Sequence, residues 1–186
     1  FHVGSQSQDS AALPAIIVHF AADVGTAGWL MTGYLLALAV IQPLAGKLGD
    51  RFGRRPFMLG GLAVFGLVSI GAALAPSLVV LIAMRTLQAV SGAVVFPNGA
   101  GLLRQLIPAG RRAQAFGTMG AALSLAAALG PPLGGMIVEF GGWRAIFLVN
   151  VPVVLAALVL AWREIPRHVP AARPPPAFDL VGAGLM

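Results

Sequence analysis

The sequence lacks cysteine, has a single tyrosine, and carries charge on only 10% of its 186 residues. Without cysteine it has no disulfide framework and no thiolate metal site. The histidines, at His2, His19 and His168, lack the spacing of metal ligands, so we predict neither a metal site nor a cofactor. A soluble domain of this length needs far more charge to cover its surface. With 58% hydrophobic residues and a mean hydropathy of +0.89, the apolar surplus must face something other than water.

The formal net charge of +6 does not indicate a partner made of nucleic acid. The basic residues form short clusters between long apolar runs, and no cluster of stacking aromatics accompanies them. No G-x-x-x-x-G-K-[ST] sequence is present, so ATP hydrolysis has no support. No Ser/His/Asp arrangement and no clustered catalytic set stands out. We therefore predict no catalytic residues and expect that the protein is not an enzyme.

Long apolar runs are the main positive feature, because a helix needs about 20 apolar residues to cross a membrane. Four uninterrupted runs have about this length: residues 28–46, 57–75, 78–103 and 145–162. A fifth run, residues 114–138, is richer in Gly and Ala but carries no charge. The first segment, from residue 1 to Phe20, is half polar and reads as a clipped or functionally polar span. Five long runs in one chain argue strongly against buried helices of a soluble protein. The sequence predicts an all-α polytopic membrane protein.

The runs also predict the domain organisation. Residues 1–162 form a transmembrane bundle, residues 163–178 form a linker rich in Pro, Arg and Ala, and residues 179–186 begin a seventh span. The chain opens at Phe1 without Met and stops inside an apolar run at Met186. We therefore expect that both ends are truncations.

The distribution of Lys and Arg predicts the orientation in the membrane. Ten of the 12 basic residues follow even-numbered spans: Lys47, Arg51, Arg54, Arg55, Arg104, Arg111, Arg112, Arg163, Arg167 and Arg173. The opposite loops hold only Arg144. The basic loops are therefore predicted to be cytoplasmic, in a multi-pass protein of the cell membrane. Trp29, Trp143 and Trp162 fall at predicted span ends, where an aromatic belt would lie.

The most specific stretch is GKLGDRFGRRPFML, residues 46–59, between the second and third spans. It reads as a tight turn in which Gly46, Gly49 and Gly53 permit close backbone approach or an unusual φ angle. The turn brings the Asp50 carboxylate against several cations, so Asp50 can pair with an Arg or accept from the amino end of a neighbouring helix. The alternative is a basic loop that only sets topology. That alternative explains the cations but not the Gly-Asp-Gly spacing.

This stretch resembles the hallmark motif G-x-L-a-D-r-x-G-r-k-x-x-l of the major facilitator superfamily of transporters. It matches at Gly46, Leu48, Asp50, Arg51, Gly53, Arg54, Arg55 and Leu59. The resemblance implies a six-helix bundle made of two inverted three-helix repeats, forming the amino-terminal half of a transporter. It also implies that the loop is a gating latch whose Asp contacts the missing carboxyl-terminal half.

Arg85 is the one strong cation within a predicted span, about 12 Å from the outer end. An Arg at that depth costs at least about 2.5 kcal/mol and should face a cavity or a partner. The segment from Arg85 to Gln88 resembles the family's R-x-x-Q-G motif, although Ala89 stands where Gly is expected. The resemblance implies that Arg85 and Gln88 take part in proton transfer. The alternative is an Arg bonded to carbonyls between helices.

The fifth span contains GPPLGG, residues 130–135, and small residues recur every four positions at Ala122, Ala126, Gly130 and Gly134. Such a stripe allows close helix contact. Pro131 and Pro132 are expected to disturb the backbone hydrogen bonds and kink the helix. The run, including Gly135, resembles the antiporter motif of proton-coupled exporters, with Ala126 in place of the first Gly. Plain helix packing is the alternative.

Three further stretches resemble the drug:proton antiporters with fourteen spans: residues 29–39, 142–152 and 178–184. Their first span usually carries an Asp where Ser5 stands here, and Asp9 lies four residues later on the same helical face. Asp9 is therefore a candidate cavity carboxylate for proton coupling. Alternatively, residues 1–10 are not embedded in the membrane, and the sequence favours neither reading.

The resemblance implies export of small amphipathic or lipophilic compounds in exchange for protons, by alternating access. The expected partners are this small-molecule substrate, protons, the lipid bilayer and the missing half of the protein. Gln42, Asn98 and Asn150 are polar residues within spans that either line the cavity or form interhelical hydrogen bonds. An uptake carrier or facilitator of the same superfamily is one alternative, which the Gly130–Pro131 run opposes. A non-transporting scaffold or sensor is another, which the Asp50 loop opposes.

Overall fold

A computed structural model describes residues 12–166, and residues 1–11 and 167–186 lie outside the described part. Within the described part the chain forms helices and no strand: α1 (residues 12–20), α2 (Val24–Phe52), α3 (Arg54–Ala73), α4 (Leu78–Leu106) and α5 (Ala109–Glu164). The predicted all-α fold is confirmed. Asp9, most of the predicted linker and the predicted start of a seventh span lie outside the described residues.

Helices α2 and α4 begin at side chains that cap them. The Asp23 carboxylate accepts from the backbone N–H groups of Gly25 and Thr26, at 2.8 and 3.4 Å, at the start of α2. The Ser77 hydroxyl accepts from the Val80 N–H at the start of α4. The helices extend beyond the predicted apolar runs, since α2 spans 29 residues rather than the 19 of residues 28–46. The length of an apolar run predicts only the part of a helix that lies in hydrocarbon, and the helix itself continues beyond that run.

The helical segment α5 covers 56 residues, which as one straight helix would measure about 84 Å at 1.5 Å per residue, against about 30 Å of bilayer hydrocarbon. Its helical backbone is interrupted at Gly142, where φ is 70° and ψ is 174°. The interruption divides α5 into a first arm, residues 109–141, and a second arm, residues 143–164. The two arms contain the predicted runs 114–138 and 145–162. The kink expected at Pro131 and Pro132 is not where α5 breaks, because both prolines keep helical backbone angles.

Contacts between helices fix their directions. Asn98 in α4 bonds to the Ala45 carbonyl of α2, and Gly33 earlier in α2 lies beside Thr86 earlier in α4, so α2 and α4 are parallel. Gly71 near the end of α3 lies beside Met84 near the start of α4, so α3 runs the opposite way.

The second arm of α5 is antiparallel to α3. Arg55, in the first turn of α3, bonds to the carbonyl of Trp162, and Gly66 further along α3 lies beside Val154. The α2–α3 and α4–α5 connections and residues 162–166 therefore share one end of the molecule, which we call the basic end. Eight of the ten described Lys and Arg residues lie near it: Lys47, Arg51, Arg54, Arg55, Arg104, Arg111, Arg112 and Arg163.

The main apolar core lies at the opposite end, where α1, the end of α3, the start of α4 and the second arm meet around Ile16, Leu81 and Phe147. Trp143 belongs to this core and is 4% exposed, with His19 and Phe20 against its ring. The prediction that Trp143 lies in an aromatic belt is therefore wrong, since packing between helices buries its ring.

The outside of the bundle is apolar, as a membrane-spanning protein requires. Large side chains such as Leu67, Phe140 and Leu160 are more than half exposed. Within the described residues, α2, α3, α4 and α5 are each long and apolar enough to cross a membrane. Exposing so much apolar surface to water would be unfavourable, whereas lipid chains solvate it.

Candidate functional site

The predicted gating residues form the turn between α2 and α3. A single residue, Gly53, separates the two helices and has a φ of 102°, which side chains with a Cβ rarely adopt. Across this turn Asp50 forms an ion pair with Arg54 at 2.5 Å. Arg54 also donates to the Pro97 carbonyl of α4 at 3.3 Å. One guanidinium therefore links the end of α2, the start of α3 and the middle of α4.

Neighbouring glycines make room for these contacts. Gly101 of α4 lies so close to Arg54 that a Cβ there would overlap the guanidinium. Gly49 of α2 lies against Asn98, and a Cβ there would overlap the side-chain amide. Gly46 is less crowded, since an added Cβ would lie 3.7 Å from the Pro97 Cβ. The close approach expected in this stretch is found at Gly49.

The remaining basic residues of the turn make different contacts. Arg55 donates to the carbonyls of Ile165 and Trp162 at 2.9 and 3.0 Å, and its guanidinium lies 5.4 Å from the Trp162 ring. Arg51 is exposed and lies over the Phe52 ring. Arg55 therefore holds the carboxyl end of α5 against the start of α3, a contact that the sequence does not predict.

Arg85 is buried in the bundle and is 3% exposed. Its guanidinium donates to the Gln88 side-chain oxygen one turn later, and lies 4.8 Å from the Tyr34 ring and 5.5 Å from the Phe147 ring. A cavity of about 10 Å³ adjoins it, about enough for one water. Arg85 thus has both features expected of a cation at this depth, polar partners and an adjoining cavity.

Gln88 connects Arg85 to α3. Its side-chain nitrogen donates to the Ser69 hydroxyl at 2.7 Å, and that hydroxyl donates to the Phe65 carbonyl at 2.7 Å. Gln88 and Ser69 are fully buried. Ser69 is not among the residues predicted from the sequence, because its only signal there is a polar residue within an apolar run. The amide of Gln88 is therefore held in one orientation, with its oxygen towards Arg85.

The predicted cavity candidates differ in burial and in hydrogen bonding. Asn98 is fully buried and donates to the carbonyls of Ala45 and Val94 at 3.2 and 2.8 Å. It therefore makes the interhelical hydrogen bond that was the alternative to lining a cavity. Gln42 is half-buried. Asn150 is half-buried too, and its side-chain nitrogen has no hydrogen-bond partner within residues 12–166.

The predicted antiporter motif lies in the first arm of α5. Gly130 and Gly134 are buried, whereas Pro131 and Gly135 on the adjacent face of the helix are exposed. One face of the arm thus allows close packing, and the adjacent face presents prolines to the surroundings. Asp9, the third candidate for proton coupling, lies outside the described residues.

The arrangement provides two charged centres at different depths. Arg85 lies within the span region, where a guanidinium attracts a carboxylate or another negative group far more strongly than it does in water. The Asp50–Arg54 pair lies at the basic end, where its carboxylate side chain is 37% exposed.

Comparison with known proteins identifies related sequences. A family model for the Major Facilitator Superfamily matches residues 8–185. The chain is 42% identical over 173 residues to the tetracenomycin C resistance and export protein of Streptomyces glaucescens, covering 93% of this chain and 32% of that protein. It is 40% identical over 165 residues to the multidrug efflux pump LfrA of Mycolicibacterium smegmatis, covering 88% and 32%.

A third relative is a probable actinorhodin transporter of Streptomyces coelicolor, 37% identical over 179 residues, with 94% of this chain and 31% of that protein covered. The chain spans about a third of the length of these curated relatives. The match extends across almost all of this chain, including both charged centres.

Proposed function

Since the chain belongs to the major facilitator superfamily of multi-pass membrane transporters, we propose that its protein exports small amphipathic or lipophilic compounds in exchange for protons. Two relatives carry names that describe export of, or resistance to, drug-like compounds. The resemblance of residues 130–135 to the antiporter motif supports the same direction of transport. The observation that carries the proposal is Arg85, a buried cation fixed to Gln88 within the span region.

The proposed architecture is one half of an alternating-access transporter. Residues 1–162 form six spans as two inverted three-helix repeats, residues 163–178 form a cytoplasmic linker, and residues 179–186 begin a seventh span. The alternating directions of α2, α3, α4 and the two arms of α5 support this arrangement. The substrate passes between this half and the carboxyl-terminal half, and a total of fourteen spans is proposed.

Proton coupling is proposed to operate through Arg85. A carboxylate within the membrane, with Asp9 as the candidate in this chain, is attracted to the guanidinium when ionised and released when protonated. Protonation therefore competes with that pairing and shifts the balance between inward-facing and outward-facing states. Gln88, fixed through Ser69, keeps the guanidinium in a defined position during the exchange.

Gating is proposed to operate at the basic end, which faces the cytoplasm of the cell. The Asp50 carboxylate is partly exposed, so it can contact the carboxyl-terminal half in one state and Arg54 in another. The positive-inside distribution supports the orientation, since eight described basic residues lie near that end.

The coupling proposal is tested by Arg85→Lys and Arg85→Ala in the full-length protein. Lys keeps the charge but lacks the planar guanidinium that donates to Gln88 and lies near the Tyr34 and Phe147 rings. We expect Arg85→Lys to lower proton-driven export about tenfold or more, the equivalent of one charged hydrogen bond, with near-normal abundance. Arg85→Ala should abolish it. Substrate binding without a proton gradient should fall much less.

The matched control is Arg163→Lys, an exposed Arg at the basic end, for which export should not change. Export is measured as efflux driven by a pH gradient in membrane vesicles. Full gradient-driven export by a well-folded Arg85→Ala protein would end the coupling hypothesis. Gradient-driven accumulation in the opposite direction would support an uptake carrier instead.

A further inference from the structure

An apolar cavity of about 200 Å³ lies between α3, α4 and the first arm of α5. All the residues that line it are apolar, among them Met58, Phe96, Ala100, Met119 and Leu123. Pockets that hold whole drug-sized ligands measure about 300–1,000 Å³ and place a few polar groups to orient the ligand. This cavity is smaller and has no such groups. It suits an alkyl chain better than a complete substrate molecule.

A cation lies next to the cavity, towards the basic end. Arg104 lies one helical turn beyond Ala100, on the same face of α4. Its guanidinium is 5.5 Å from the ring of Phe116, which lies one turn before Met119 in α5. Arg104 and Phe116 therefore adjoin the cavity on both helices. A guanidinium with five N–H donors can lie beside a ring and still donate to an anion.

The surrounding charge favours an anion. No Asp or Glu occurs between residues 78 and 138, whereas Arg104, Arg111 and Arg112 occur within that stretch. All three arginines are exposed. They lie near the basic end, at the depth where the apolar runs give way to polar residues. An amphipathic molecule with a negative headgroup and an apolar tail would match both the cavity and the charge beside it.

We propose that the cavity binds one acyl chain of an anionic phospholipid and that Arg104 binds its phosphate. The surrounding bilayer supplies this occupant, and basic pockets between membrane helices are a recognised setting for anionic headgroups. The bound lipid packs between α4 and the first arm of α5, and fills space that the side chains of α3 leave open. This binding is independent of the proposed proton coupling, because Arg85 does not line the cavity.

The test uses the full-length protein in nanodiscs that contain equal amounts of phosphatidylglycerol and phosphatidylcholine. In parallel samples, one of the two lipids carries a photoreactive group in its acyl chain, and labelled peptides are mapped by mass spectrometry. We expect phosphatidylglycerol to label peptides containing Phe96, Ala100 or Met119 several times more than phosphatidylcholine does.

Two variants separate the headgroup from the tail. Arg104→Gln should reduce this labelling by phosphatidylglycerol about fivefold, since one Arg near the membrane surface contributes about 1 kcal/mol. Ala100→Trp should fill the cavity and remove the labelling by either lipid. Arg163→Gln makes the same charge change at the basic end away from the cavity lining, and should leave labelling unchanged.

Three results would overturn the proposal. Equal labelling by the two lipids, with no effect of Arg104→Gln, would show that the charge recruits no headgroup. Labelling that persists in a folded Ala100→Trp protein would place the chain outside the cavity. An unlabelled cavity in the unmodified protein would show that another part of the transporter, or the exported compound, covers it. If Ala100→Trp does not fold, the test rests on Arg104→Gln, an exposed position, and on whether this variant reduces labelling by phosphatidylglycerol.

Discussion

The contact between Gly49 and Asn98 predicts that a single methyl group will destabilise the bundle. In Gly49→Ala the new Cβ would overlap the Asn98 amide, so that side chain must turn away. Turning away breaks its bonds to the Ala45 and Val94 carbonyls in a site that is fully buried. The variant therefore exchanges an amide whose nitrogen makes two hydrogen bonds for a crowded amide that makes neither.

The size of the effect follows from two opposing terms. Ala is about 1 kcal/mol better than Gly within a helix, which favours the variant. A buried polar group that loses its hydrogen bonds costs about 1–3 kcal/mol, and overpacking a tight helix contact adds about 1–3 kcal/mol. The unfavourable terms exceed the favourable one, so we expect a net destabilisation of about 3 kcal/mol.

A double-mutant cycle isolates this contact. Asn98→Ala removes the amide that the Cβ would overlap, so Gly49→Ala in that background should be neutral or stabilising by about 1 kcal/mol. The sign of the Gly49→Ala effect thus reverses between the two backgrounds. The assay is the apparent melting temperature of the full-length protein in detergent, followed by size-exclusion chromatography after heating. An equal loss in both backgrounds would refute the reasoning, because the cost would then come from elsewhere.

Two further predictions concern gating and orientation. Asp50→Asn removes the ion pair with Arg54. It should strongly lower transport and shift the accessibility labelling of both membrane faces, while the abundance of the protein stays near normal. Unchanged transport and labelling would show that the turn only sets topology. In intact cells Gly110→Cys should be shielded from an impermeant thiol reagent and Val24→Cys should react with it, since the two positions lie at opposite ends and these 186 residues contain no Cys. The reverse pattern would invert the proposed orientation.

Much of the fold was predictable because a membrane span has a fixed length and composition. The apolar runs located α2, α3 and α4 and both arms of α5. The helix ends were less predictable, since α2 continues to Phe52 through Lys47 and Asp50, which lie beyond the apolar run. The break at Gly142 falls between the predicted runs 114–138 and 145–162, so the sequence indicated its place. The kink expected at Pro131 and Pro132 was not the break, because a proline removes a hydrogen bond without necessarily ending the helix.

The candidate site was predictable where its partners are close in sequence. Arg85 and Gln88 are one helical turn apart, and Asp50 and Arg54 are four residues apart, so their contacts follow from local spacing. Ser69 pairs with Gln88 across helices, and that contact depends on how α3 packs on α4. Asn98 shows the same limit, because spacing along the chain does not distinguish a cavity residue from one that joins two helices.

The Arg55 contact has a consequence for the motion of the transporter. Its bonds to the carbonyls of Trp162 and Ile165 join the chain's exit from α5 to the turn that holds Asp50. These two regions are 107 and 110 residues apart in sequence, yet a displacement of one must carry the other with it while the bonds persist. The turn and the point at which the chain leaves α5 therefore move together as one rigid body. A rotation of either region rotates the other.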